Sequence, residues 1–188
     1  MKYSIDKNFS KEFDKTIKNY EYYKNNSVIV GKMPNLYKKY GFDVKKPMTI
    51  TPKHLKDVTH EKVKGVKKYH GLTKENIINA VEQLENPALI IKSPLNDNVL
   101  IAFTTETDGD NIPIAIYISK SGRAYINAVE TETNHILSIY GRDNTVNFIN
   151  NAIDDNRIID GNKNRAKELE NILGIMLSLP DNIFECWI

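Results

Sequence analysis

The sequence predicts an α+β fold: helices lead, strands fill the middle, and helices return near the end. Three observations carry this. Apolar residues recur at helical spacing from Ser10 to Asn26 and from Thr73 to Asn86. Between Ala88 and Tyr140 they fall instead into short runs separated by turn residues. After Tyr140-Gly141-Arg142 the helical spacing resumes. The expected architecture is N-terminal helices packed on a meandering antiparallel sheet, with further helices after that turn.

The elements follow in order. Ser10 suits an N-cap for a helix bearing Phe13, Ile17 and Tyr20 and ending near Asn25-Asn26, with Lys11, Lys15, Lys18 and Lys24 on its wet face. Ser27 to Gly31 is a short apolar run, and Pro34 to Tyr40 reads as a helix stopped by Gly41. Met48 to Thr51 reads as a strand, after which Pro52 opens a helical turn carrying His54, Leu55 and Val58. Residues 59–71, THEKVKGVKKYHG, read as a lysine-rich loop. Thr73 caps the next helix, whose buried stripe is Ile77, Ile78, Val81 and Leu84, and Asn86-Pro87 ends it. Strands are expected at 88–92, 99–105, 112–119, 124–129 and 135–140, the second and third joined by a hairpin at Asp108-Gly109-Asp110-Asn111. Asp143 or Asn144 caps a helix through Ile153, Arg157 to Asp160 is a final strand, and Asn164 to Leu173 is the last helix.

The totals describe an ordinary globular chain of 188 residues, 40% hydrophobic and 27% charged, read as one domain over 1–188. The lone cysteine, Cys186, has no partner for an internal disulfide. No stretch is apolar enough to span a bilayer and the first residues lack a signal-peptide core, so the expectation is a cytoplasmic protein without a membrane partner. Charge is uneven. The first 75 residues hold 18 lysines and no arginine against eight carboxylates, whereas the rest hold eight cations against 16 carboxylates. A basic half can neutralise phosphates. It also fits a lysine-biased composition whose two halves attract each other, and the charge count leaves both readings standing.

A glycine-rich phosphate loop, paired Cys-x-x-C, His-Glu-x-x-His and Gly-x-Ser-x-Gly are all absent, and neither a metal site nor a cofactor is expected. Histidine remains as the source of chemistry, because it exchanges protons near neutrality. Metal-independent RNA cleavage needs a base for the 2′-OH, an acid for the leaving 5′-oxygen and a cation for the charge on phosphorus. His54 and His70 lie on either side of the lysine loop, and Arg142 stands where a strand gives way to a helix. Its planar fork suits phosphate oxygens, although pairing with Asp143 or Glu132 is the plainer alternative.

Several segments together resemble a known family. They are Met48-Thr49-Ile50-Thr51-Pro52-Lys53-His54-Leu55, Tyr69-His70-Gly71-Leu72-Thr73, Glu85-Asn86-Pro87-Ala88-Leu89-Ile90, Ser93 with the following hairpin, and Ser138-Ile139-Tyr140-Gly141-Arg142-Asp143-Asn144. Their order and spacing are similar to the MuF C-terminal domain of phage and mobile-element proteins, over a core of 47–175 with an N-terminal helical extension at 1–30. That family resembles the barnase–EndoU–colicin–RelE-like nucleases. The resemblance implies a toxin-like ribonuclease with His54, His70 and Arg142 catalytic. It further implies Thr51, Ser93, Tyr140 and Asn144 as substrate contacts, and by their charge Lys53 and the loop lysines Lys64, Lys67 and Lys68 are expected to join them in drawing the RNA in. RNA is the expected partner, along with a cognate immunity protein. The alternative is a non-enzymatic phage protein that blocks a host defence complex such as an RNA-guided nuclease. Delivery with the virion fits either. Relatives tend to finish in Gly-Leu-x-Leu-Pro, whereas Gly174-Ile175-Met176-Leu177-Ser178-Leu179-Pro180 is longer by two.

Overall fold

The computed structural model describes residues 5–184, so Cys186 lies outside the described residues. The chain folds into α1 (Phe9–Lys18), α2 (Tyr20–Tyr23), β1 (Val28–Lys32), β2 (Pro47–Ile50), α3 (Pro52–Thr59), α4 (Lys74–Glu82), β3 (Leu89–Lys92), β4 (Val99–Thr107), β5 (Pro113–Ile126), β6 (Val129–Gly141), α5 (Thr145–Asp154), β7 (Ile158–Asp160) and α6 (Lys163–Leu173). One seven-stranded sheet runs β1-β2-β6-β5-β4-β3-β7. Strands β3 to β6 form the expected antiparallel meander. The exception is β2, which joins β6 in parallel through Met48 and Asn134, Thr49 and His135, and Ile50 and Ile136.

Alternation along the strands gives the sheet two apolar faces. Leu100, Ala102, Ile114, Ile116, Ile118, Ile136 and Ile139 meet Phe9 and Phe13 of α1, Leu55 and Val58 of α3, and Ile77 and Val81 of α4. Leu89, Ile91, Ile101, Phe103 and Ala115 face the other way, onto Ile149 and Ala152 of α5 and Ala166 and Leu169 of α6. The C-terminal helices cover β3 to β5 on their face, and Tyr140 of β6 is met there by His70 from the 60–71 segment. Among the described residues no helix is long and apolar enough to cross a membrane.

Three local expectations need correction. The first helix is capped at Asn8 rather than Ser10 and stops at Lys18, because Asn19 leaves helical geometry before the short α2 turn. Its buried side is Phe9, Phe13 and Thr16, whereas Ile17 is exposed. The strands expected at 112–119 and 124–129 are one continuous strand, β5, irregular between Ser119 and Gly122. Its turn into β6 is Asn127-Ala128, both at positive φ, a hairpin geometry usually signalled by glycine.

Candidate functional site

Parallel pairing of β2 with β6 brings their C-terminal ends to one edge of the sheet, and most of the candidate residues gather there. Thr51 follows β2 in extended conformation and caps α3, accepting a hydrogen bond from the His54 amide at 3.2 Å. The same hydroxyl oxygen lies 2.8 Å from His54 Nδ1. When Nδ1–H donates to it, Nε2 is the unprotonated nitrogen of the neutral ring and the one able to take a proton. Burial lowers the pKa of the half-buried His54 below the ordinary histidine value, the Lys53 ammonium lowers it further, and Asp57 partly opposes both.

The segment after the lysine loop runs back beside α3, with Gly71 N–H donating to His60 carbonyl and Leu72 N–H to Val58 carbonyl. His70 is thereby laid flat on Tyr140, ring centroids 4.7 Å apart. Tyr140 in turn stacks on Tyr117 of β5 at 5.5 Å, so three rings form one column. Burial again lowers the histidine pKa first, followed by the Lys62 ammonium, against Asp108, Asp143 and Asp57. Asp57 acts on both histidines, one turn along α3 from His54.

Arg142 joins the two tyrosines at their hydroxyl ends. Its Nη1 donates to the Tyr140 hydroxyl at 3.0 Å and to the Tyr117 hydroxyl, and the guanidinium lies 3.9 Å from the Phe148 centroid. The Tyr117 phenol is pushed upward by burial, which holds it protonated. Neither Asp143 nor Glu132 pairs with Arg142. Glu132 is taken by Lys46 at 2.7 Å, and among the described residues no carboxylate bridges Arg142, whose Nε is buried without a partner. Arg142 also precedes the N-terminus of α5, which adds positive potential.

Lys62 fastens the lysine loop to this edge by bridging Asp108 at 2.9 Å and Asp110 across the β4–β5 hairpin. Asp108 accepts from the Asp110 and Ile112 amides and lies against Gly141, where a Cβ would come within 2.2 Å of its carboxylate. That contact is the reason glycine ends β6. Lys53 pairs with Asp57 at 2.5 Å and Lys68 approaches the same carboxylate at 3.9 Å. Lys64 and Lys67 are exposed on the loop. Asn144 is an exposed N-cap at positive φ that forms no side-chain cap bond.

Ser93 does not join this group. It follows β3, next to Val99, at the end of the sheet where β5 has reached Ser119. That is roughly 20 Å from Arg142 by strand spacing. Of the other histidines, His60 stacks on Tyr69 and His135 pairs across the sheet with Thr49. Sequence reasoning missed Tyr117, Asp57 and Phe148. The first looks like any strand residue until its register with β6 is known. Among the described residues no three His, Cys, Asp or Glu side chains gather into a metal-holding group.

Comparison with protein families gives a match to the phage MuF-C-terminal domain over residues 61–168. The matched segment contains His70, Tyr117, Tyr140, Arg142 and Asn144; Thr51 and His54 lie just upstream of it. Comparisons with curated proteins and with solved structures find no match. The match spans more than half of the sequence, and the chain belongs to the phage MuF-C-terminal domain family.

Proposed function

We propose that this phage-family protein is a metal-independent endoribonuclease whose site is the His54–His70–Arg142 edge of the sheet. The observation that carries the reading is Arg142: a part-buried guanidinium at a helix N-terminus, steadied by two tyrosine hydroxyls and, among the described residues, bridged by no carboxylate. Such a cation lacks an anion, and a phosphate oxygen supplies it.

His70 lies on the tyrosine that Arg142 holds, and His54 and His70 are both within the field of Asp57; in this reading they divide the acid and base roles. One, as the neutral base, removes the 2′-OH proton, and the 2′-oxygen attacks phosphorus. The other, protonated, gives its proton to the departing 5′-oxygen as the P–O5′ bond breaks, leaving a 2′,3′-cyclic phosphate. Charge building on the non-bridging oxygens falls to Arg142. Thr51 orients His54, Tyr140 orients both His70 and Arg142, and Asn144 stands two residues after Arg142 at the start of α5. The exposed Lys64 and Lys67, with Lys53 and Lys68, draw the backbone in. Ser93 lies too far along the sheet to touch the same phosphate.

The test is incubation of purified protein with transfer RNA in EDTA, beside a His54→Ala/His70→Ala variant of matched melting temperature. Wild-type cleavage ending in cyclic phosphate, reduced at least about a hundredfold in the variant, is expected. Equal cleavage by both removes the histidines from the mechanism. Absence of cleavage by wild type removes the reaction and leaves the defence-blocking binder as the reading to pursue.

A further inference from the structure

Beside the histidine edge, the outer side of α3 carries a strip in which aromatic rings alternate with ammonium groups. Lys56 Nζ lies 4.1 Å from the centroid of the Tyr20 ring. Lys68 Nζ lies 4.9 Å from the Tyr69 ring, and His60 stacks on that ring at 4.0 Å. Lys53 sits between them: both tyrosines are within its electrostatic reach, and it neighbours His54 in sequence. Leu55 and Val58 hold the opposite side of α3 in the core, so Lys53 and Lys56 are fixed to a rigid element. From Pro52 to Lys68 there are six lysines against two carboxylates, and one of the carboxylates, Asp57, is already shared by Lys53 and Lys68.

We propose that this strip, Tyr20–Lys56–Lys53–Lys68–Tyr69, is a binding track for unpaired nucleotides leading to the His54 edge. A cation resting on a ring face is a weak cover on an exposed surface. An unpaired base takes the ring face by stacking, and the displaced ammonium turns to the phosphate beside it. One movement therefore serves base and backbone together. A duplex cannot use the track in this way, because its base faces are already covered by their neighbours. An acidic peptide would engage the lysines and leave the ring faces unused. Binding of this kind is tolerant of sequence, since every base offers a face, and it weakens with salt as phosphate contacts are screened. Tyr20, Lys53 and Lys56 lie upstream of the segment matching the family, so this part of the track belongs to the chain's own N-terminal region.

The proposal rests on the ribonuclease reading for the nature of the strand, and the experiment separates the two. A labelled 12-nucleotide 2′-O-methyl RNA has no nucleophilic hydroxyl, so wild-type protein can bind it without cutting. Fluorescence anisotropy would compare it, single-stranded, with the same strand in a duplex, for wild type, Tyr20→Ala, Tyr69→Ala, Tyr20→Phe, Tyr69→Phe and Lys53→Glu/Lys56→Glu. The single strand is expected to bind more tightly than the duplex, each alanine to weaken it roughly five- to a hundredfold, and phenylalanine to hold it near wild type. The glutamate pair is expected to weaken binding strongly while leaving a normal melting curve. Equal binding of strand and duplex overturns the track, and so does loss with phenylalanine equal to that with alanine. If RNA is cleaved normally by Tyr20→Ala and Tyr69→Ala at subsaturating substrate, the track fails while the ribonuclease stands.

Discussion

The two ends of helix α5 each bring an arginine to the same phenyl ring, and the two arginines are in opposite circumstances. Arg157, after the helix, has its guanidinium 5.6 Å from the Phe148 centroid, donates to Asp155 at 3.0 Å, and reaches the Lys92 carbonyl. It lies where the helix dipole welcomes a cation. Arg142, before the helix, sits closer to the ring, has hydroxyls instead of carboxylates around it, and lies where the dipole opposes its charge. The first is a finished structural contact. The second is a cation held in place at an electrostatic cost, and it is the one joined to His70 through Tyr140. A ring neighbour alone therefore does not tell a rivet from a binding group; the missing counter-charge does.

The sharpest way to break this contrast is to remove each arginine in turn. Arg142→Ala is expected to lower kcat/KM for RNA cleavage by about a hundred- to a thousandfold, with Arg142→Lys recovering little because the fork is lost. Arg157→Ala is expected to leave cleavage within a few-fold and instead lower the melting temperature by about 2–4 degrees. Similar catalytic losses from both would erase the distinction between the two ends.

A smaller difference is in titration. Burial depresses His54 and His70 in the folded state, so kcat/KM is expected to peak on the acid side of about pH 6.5. The same shifts, with that of His135, set the sign for stability. Below about pH 6.5 the unfolded chain binds more protons at these positions than the folded one. Their contribution is therefore complete above that pH and declines as pH falls through the depressed folded values. Melting curves between pH 8 and pH 5 should show this decline, and His54→Gln/His70→Gln should flatten it. A variant that follows the wild-type curve throughout would mean that neither histidine is depressed.

The smallest expected effect needs no RNA. Inorganic phosphate at millimolar concentration should raise the wild-type and Arg157→Ala melting temperatures by about one to three degrees and leave Arg142→Ala unmoved. A rise of equal size in all three would place the anion somewhere other than Arg142.

What the sequence made legible followed from local chemistry. Thr51-Pro52 announced a helix start, Asn86-Pro87 an end, and Asp108-Gly109-Asp110-Asn111 a hairpin, and each is found there. Arg142 was recognisable because Gly141 and Asn144 mark a change of element around it. The β5–β6 turn was hidden because Asn127-Ala128 adopts a geometry that Asn-Gly would have advertised. Tyr117 was hidden for a different reason: its role depends on register with Tyr140 and on Arg142 donating to both hydroxyls, which no local pattern encodes. Ser93 shows the converse, a residue that shares a motif with the site and lies at the far end of the sheet.

Because Met48 pairs with Asn134 at the centre of the sheet, the histidine-bearing segment and the arginine-bearing segment meet only after everything between them has been made. A ribosome that has extruded α3 and the lysine loop has exposed His54 and His70 with no Tyr140 to lie on and no Arg142 nearby. On the ribonuclease reading proposed above, the half-made chain would be harmless to the RNA surrounding it. Topology would then time the onset of activity: the long-range pairing that slows folding would also keep the nascent polypeptide inert until synthesis has passed the site.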